Sequence, residues 1–186
     1  MQKDLMSYAK VYKNFVDREF CQEIIDQLKD VEFRQHQFYN VHTDSHTSYD
    51  KELSISNADI PARQALTAHV WKAYHRYTSE LGFRWFGSWE GFSAPRFNRY
   101  DVNTQMAEHC DHIHSLFDGP NRGIPTMTAL GCLNNDYEGG DLIMWQDTKI
   151  DLQAGDIMVF PSVFLYPHRI EEITSGVRYS YVAWAW

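Results

Sequence analysis

From residue 83 to the C-terminus, apolar and polar residues alternate with a period of two, and turn signals cut the run into short pieces. Strands are expected near 83–90, 92–100, 106–111, 125–134, 141–146, 156–160, 166–173 and 177–186. The breaks between them are Asp118-Gly119-Pro120-Asn121, Glu138-Gly139-Gly140-Asp141, Ala154-Gly155-Asp156 and Thr174-Ser175-Gly176. About eight short strands bury their apolar faces only by closing into a sandwich or barrel.

The first 82 residues read differently. A loose alternation from Ala9 to Phe15 suggests one strand. Asp17 then stands at an N-cap position, and Phe20, Ile24, Ile25 and Leu28 recur at helical spacing over about 18–29. Val31 to Val41 alternates enough for another strand, whereas the polar segment from His42 to Ser56 reads as a loop. A second helix is announced by Asp59 and Pro61. It carries the stripe Leu66, Val70, Trp71, Tyr74, Thr78 and Leu81, and Gly82 ends it. The expected architecture is mostly β, with helices packed on one sheet. Residues 1–186 form one domain in this reading, with helical support over about 15–82 and a strand-built core over about 83–186.

Composition narrows the function. The formal net charge of −8 offers no general attraction to phosphate backbones, which argues against a nucleic-acid partner. Three scattered cysteines, Cys21, Cys110 and Cys132, form neither a disulfide framework nor a Cys-x-x-Cys metal module. There is no signal-peptide-like apolar run and nothing near the ~20 apolar residues of a membrane span. The expectation is a cytoplasmic protein without a membrane partner; its oligomeric state is open.

Chemistry concentrates between Arg99 and Asp111. In an extended segment, His109 and Asp111 leave the same face about 6–7 Å apart along the backbone. An imidazole and a carboxylate can then meet on one ion, with a third ligand, His168, delivered by a neighbouring strand. Two His and one carboxylate on one face of a metal leave the opposite face open, as in non-haem Fe(II) oxygenases. His112 and His114 form a competing pair at the same spacing, and with nine histidines in the chain one His-x-Asp pair decides little alone. Arg178 lies ten residues beyond His168 in an otherwise apolar, aromatic strand. A guanidinium there needs an ion-pair partner or a ligand, because an unpaired buried charge is costly, and its planar fork suits a carboxylate.

His109-x-Asp111, then His168 after 56 intervening residues, then Arg178-x-Ser180, resembles the Fe(II)- and 2-oxoglutarate-dependent dioxygenases, most of all their prolyl 4-hydroxylase-like branch. Tyr100-Asp101-Val102-Asn103-Thr104-Gln105-Met106-Ala107-Glu108-His109 resembles the segment entering the first metal ligand of that branch. The segments 128–140 and 152–161 resemble its following strands, and 14–25 resembles the start of its domain. Collagen-type members usually carry Lys where this chain has Arg178, whereas oxygen-sensing members carry Arg.

The resemblance implies a double-stranded β-helix (jelly roll) and a hydroxylase that consumes 2-oxoglutarate and O2 and releases succinate and CO2. It implies Fe(II) on His109, Asp111 and His168, with ascorbate as an optional reductant. Arg178, with Ser180 two residues on, would meet the distal carboxylate of 2-oxoglutarate, and Tyr100 would donate a hydroxyl hydrogen bond to it. Thr128 and Leu130 would face the cosubstrate, and Trp184 would stand near the substrate. The implied substrate is a prolyl residue of a peptide or protein, with a free amino acid as the variant.

Plainer readings stand beside these. Arg178 can be a structural ion pair, Tyr100 a core residue, and Trp184 with Trp186 a barrel closure. Cys110, between two ligands, points away from the metal by strand parity and reads as a small buried hydrophobe. Residues 112–124 offer a candidate lid in which Arg122 touches substrate; Arg96 and Arg99 are further candidates for substrate contact. A non-catalytic, cupin-like metal-binding barrel is the competing function. A nucleic-acid demethylase of the same superfamily is disfavoured by the acidic charge and the lack of a basic stripe.

Overall fold

A computed structural model describes residues 4–40, 43–48, 51–86, 89–111 and 124–186. A 3-10 turn at Leu5–Tyr8 leads into β1 (Lys10–Tyr12) and α1 (Arg18–Leu28). Four short strands follow: β2 (Arg34–Gln35), β3 (Phe38–Asn40), β4 (Ser45–Thr47) and β5 (Ser54–Ser56). After α2 (Arg63–Leu81) come β6 (Arg96–Tyr100), β7 (Met106–His109), β8 (Met127–Cys132), β9 (Tyr137–Gly139) and β10 (Leu142–Met144). The chain closes with β11 (Thr148–Ile150), β12 (Ile157–Pro161), β13 (His168–Ile170), β14 (Ile173–Gly176) and β15 (Arg178–Ala185).

Seven strands join in the order β1-β12-β8-β15-β6-β5-β2, and four more in the order β11-β10-β13-β7. The pairs β14-β9 and β3-β4 form separate ribbons, and every named pairing between strands is antiparallel. One face of the large sheet carries the helices. Phe97, Ala129, Val159, Tyr181 and Ala183 point that way, into a core shared with Ile24, Leu66, Val70 and Tyr74. The opposite face supplies Tyr100, Leu130, Met158, Phe160, Val182 and Trp184 to a second core, shared with Leu142, Met144 and Ile170 of the small sheet. This is the jelly-roll arrangement expected, with α2 packed on β8 and β12 of one sheet.

Several expectations need correction. No strand forms at 83–86; Phe83 and Trp85 stack on each other at a turn, with centroids 4.7 Å apart, and Trp85 is 82% exposed. The segment expected as a loop over 42–56 contains β4 and β5, and β5 is an interior strand of the large sheet. Its sequence, Ser54-Ile55-Ser56, is too short and polar to stand out, so pairing rather than propensity fixes it. The short strands β9 and β11 escape the pattern for the same reason, and the expected 166–173 strand divides into β13 and β14.

The second helix starts at Arg63, later than Pro61 suggests. Ala62 caps it without a side-chain bond and instead donates its N–H to Gln27 Oε1 of α1 at 2.8 Å. Its buried stripe is Leu66, Val70, Ala73, Tyr74 and Tyr77; Trp71, one residue past Val70, is rotated off that face and stacks on His75. Gly82 ends the helix in the left-handed region at φ 60°. Asp17 occupies the N-cap of α1, but its side chain makes no capping bond.

Candidate metal centre

β7 and β13 lie side by side in the small sheet with His109 directly opposite His168. The two rings sit 4.4 Å apart, centroid to centroid. Asp111 does not belong to β7, which ends at His109; it lies at a bend two residues on. The same-face argument from an extended segment therefore does not apply as stated, and the chain turn brings the carboxylate in. Asp111 Oδ1 lies 3.3 Å from His109 Nε2, and Oδ2 lies 3.9 Å from His168 Nε2.

Each imidazole is oriented from behind. His109 Nδ1 is 2.9 Å from the Ala107 carbonyl, and His168 Nδ1 is 3.2 Å from the Tyr166 carbonyl. A carbonyl only accepts, so each Nδ1 carries the proton and each Nε2 lone pair faces the centre. Asp111 Oδ2 accepts a 2.7 Å hydrogen bond from the Thr128 hydroxyl, which in turn meets Ser162 Oγ at 2.8 Å. One ligand atom from each of His109, Asp111 and His168 falls within 4.8 Å of the others. Two imidazoles and one carboxylate at this spacing fit a six-coordinate divalent ion such as Fe(II), with one face open to the pocket.

The electrostatics suit a cation. Burial alone would raise the Asp111 carboxyl, but the two imidazoles and Thr128 outweigh it and hold the group well below the ordinary carboxylate range. Burial and the neighbouring His109 push His168 down to about 4, so it presents a neutral nitrogen. Burial lowers His109 as well, but Asp111 more than offsets this and raises it. A proton on His109 thus competes with an ion for the same lone pair.

The pocket in front of the triad is walled by the inner face of the large sheet. Register places Tyr100 opposite Arg178, Asn98 opposite Ser180 and Arg96 opposite Val182 on β6 and β15. On the other side of β15, Cys132, Leu130 and Thr128 lie opposite Ser180, Val182 and Trp184. Leu130, Tyr100, Asn98, Arg96, Val182 and Trp184 share the pocket lining with the metal triad.

Arg178 is 1% exposed. Its guanidinium lies 5.0 Å from the Tyr100 ring centre and 5.9 Å from that of Tyr137, and Nη1 donates to Ser180 Oγ at 3.1 Å. Its Nε has no partner. Among the described residues, the arginine–carboxylate ion pairs belong to Arg76, Arg99 and Arg169, so Arg178 is not the structural ion pair of the plain reading.

Thr128 is engaged with the triad itself, its hydroxyl bonded to Asp111 and in contact with Ser162. Cys110 is half-buried rather than core, and its thiol donates to the Phe164 carbonyl at 3.5 Å. Tyr137, on short β9, is a neighbour of Arg178 that no sequence signal marked. Arg99 pairs with Asp101 at 2.8 Å. His112, His114, Arg122 and the candidate lid lie outside the described residues, apart from Ile124, which is exposed.

The chain is similar to known proteins in sequence and in fold. The model of the "2OG-Fe(II) oxygenase superfamily" matches residues 95–186. A PKHD-type hydroxylase of Methylobacterium nodulans is 37% identical over 98 residues, covering 49% of this chain and 42% of the relative. One from Shewanella oneidensis is 38% identical over 98 residues, covering 50% and 42%. The matched part of the chain thus spans less than half the length of these relatives. Among solved structures, a prolyl hydroxylase of Trichoplax adhaerens, in complex with a hypoxia inducible factor peptide fragment, superposes with a TM-score of 0.70 at 18% identity, over 96% of this chain and 83% of that one. A Pseudomonas putida prolyl-4-hydroxylase gives 0.68 at 16% identity, over 96% and 91%. These likenesses show a shared double-stranded β-helix fold.

Proposed function

We propose that this chain, whose residues 95–186 match the model of the 2OG-Fe(II) oxygenase superfamily, is an Fe(II)- and 2-oxoglutarate-dependent hydroxylase acting on a prolyl residue of a peptide or protein. The observation that carries the reading is Arg178: a buried guanidinium without a carboxylate partner, on the pocket side of the sheet that faces a His-Asp-His cluster.

His109, Asp111 and His168 hold the ion. Bound there, Fe(II) supplies O2 activation coupled to the conversion of 2-oxoglutarate to succinate and CO2. The chain positions the reactants. Arg178 pairs with the distal carboxylate of 2-oxoglutarate, replacing the missing ion-pair partner, while Ser180 Oγ fixes its Nη1. Tyr100, buried beside it, donates its hydroxyl to the same carboxylate; burial raises the phenol above its ordinary value and keeps that proton on. Leu130 and Val182 form an apolar wall that excludes water, and Trp184 borders the substrate. Ascorbate would sustain turnover by keeping the iron reduced.

Prolyl chemistry is favoured by the kind of protein that shares the whole fold, and hydroxylase chemistry by the matched relatives. A free amino acid is the second substrate reading, favoured by a second cation in the pocket. A purely metal-holding barrel would gain nothing from burying the Arg178 guanidinium without a carboxylate partner.

Incubation with Fe(II) and carboxyl-labelled 2-oxoglutarate tests the reaction class. Release of labelled CO2 with matching succinate is expected, and proline-containing peptides should gain the mass of one oxygen. Tight zinc binding without decarboxylation would leave only the metal-holding barrel.

A further inference from the structure

The cavity in front of the triad is lined by a guanidinium that the roles above leave unused. Arg96 lies on β6, four residues from Tyr100 and on the same face of the strand, at the opposite end of the wall from Arg178. It stacks over Trp184, with its Cζ 4.9 Å from the ring centre, and Nε contacts Asn98 Oδ1 at 3.3 Å. Among the described residues it has no ion-pair carboxylate. Burial pushes it below its ordinary value, and the nearby cation Arg34 does so further; Tyr100 and Asp111 oppose them. Glu52, the other buried carboxylate on this side, is turned to His36 at 3.6 Å and to the Ala107 N–H at 3.2 Å.

Charge balance shows what is missing. This step rests on the oxygenase reading. A divalent ion and Asp111, with both histidines neutral, leave one positive charge; dianionic 2-oxoglutarate reverses it, and Arg178 cancels the remainder. Arg96, half-buried beside the reacting centre, then stands as one further positive charge, and the buried Glu52 on this side is turned away from it to His36 and the Ala107 N–H. A neutral prolyl peptide bond does not supply the counter-charge. We infer that Arg96 is the anchor for a carboxylate of the prime substrate, held against Trp184 and Asn98 next to the carbon that is oxidised. The α-carboxylate of a free amino acid or an acidic group of a peptide meets the requirement; an uncharged peptide segment does not.

The test uses the zinc-loaded chain, which is redox-inert. First, 2-oxoglutarate binding is measured by calorimetry. Then, at saturating 2-oxoglutarate, acetate is titrated as the simplest carboxylate and acetamide as its neutral isostere, both followed by saturation-transfer NMR. Acetate is expected to bind saturably and acetamide to give no signal. Arg96→Met should weaken acetate at least about tenfold while leaving 2-oxoglutarate affinity within about twofold; Arg96→Lys should keep part of the acetate binding.

Equal signals from acetate and acetamide, or acetate binding that survives Arg96→Met, would overturn the assignment. So would a tenfold loss of 2-oxoglutarate affinity in Arg96→Met without acetate binding to the wild type, which would place the guanidinium on the keto-acid end of the cosubstrate. The wild-type acetate–acetamide comparison stands even if a variant fails to fold. Failure of the wild type to bind 2-oxoglutarate at all would remove the oxygenase reading, and this inference with it. Once the carboxylate arm succeeds, free L-proline against L-prolinamide, and acidic against amidated proline peptides, separates the two sources of the anion.

Discussion

The two faces of the large sheet are built by the same strands and have opposite contents. Toward the helices, Phe97, Ala129, Tyr181 and Ala183 interlock with Val70, Ala73 and Tyr74, and the Tyr74 hydroxyl donates to the Ala183 carbonyl at 2.7 Å. Toward the pocket, the intervening residues are Arg96, Asn98, Tyr100, Arg178 and Ser180, whose side chains make few bonds to one another. Alternation along one strand thus produces a support on one side and a reaction chamber on the other. The first face carries the helix packing; of the buried polar atoms without a partner, Arg178 Nε and Trp184 Nε1 lie on the second face and the Tyr181 hydroxyl on the first. Substitutions should divide accordingly.

The largest effect is expected on the helix face. A Cβ at Gly131 would lie 2.0 Å from the Tyr181 ring, so Gly131→Ala must displace a fully buried aromatic. It should cost ~3 kcal/mol in denaturant unfolding while the folded fraction binds zinc as before. A normal melting curve would show the two faces to be less distinct than the packing implies.

Next comes Arg178→Met on the pocket face. It should weaken 2-oxoglutarate about a hundredfold by calorimetry, while thermal stability stays level or rises because a buried charge has gone. Destabilisation by several kcal/mol would instead make Arg178 a structural residue. Thr128→Val removes the hydroxyl that holds Asp111 without changing side-chain volume much. Chelator competition should show about tenfold weaker metal binding, with the melt little changed.

The smallest effect concerns His36. Burial lowers its pKa from 6.5, and Glu52 offsets this only in part. The folded state therefore binds fewer protons there than the unfolded chain does. This contribution to stability is complete above pH 6.5 and is lost as pH falls through the lowered folded value. The midpoint of His36→Gln should drop less steeply than that of wild type on acidification below 6.5; parallel curves would remove His36 from the account.

The helix face was legible in the sequence because burial there follows simple periods. Ile24, Leu66, Val70 and Tyr74 all sit where the spacing puts them, and only Trp71, one step off the stripe, misled. The convergence of three side chains was legible too: His109 and His168 are histidines on facing strands, and Asp111 follows His109 by two residues. What the pattern did not reveal depends on chain direction at strand ends and on short pairings. Asp111 reaches the centre at a bend beyond β7; β5 exists because β6 and β2 flank it; Thr128 serves Asp111 because of a contact between β8 and the residue at that bend.

Both imidazoles are clamped by a carbonyl two residues upstream, from Ala107 and from Tyr166. The donor atoms thus stand at their stations before any ion arrives, and little rearrangement separates one divalent guest from another. Two imidazoles and a carboxylate accept several divalent ions, and affinity for nitrogen and oxygen donors rises from iron toward nickel and copper. Which guest resides there is then decided by the supply of metals around the protein, so material purified from a zinc- or nickel-rich medium will arrive loaded with the wrong one.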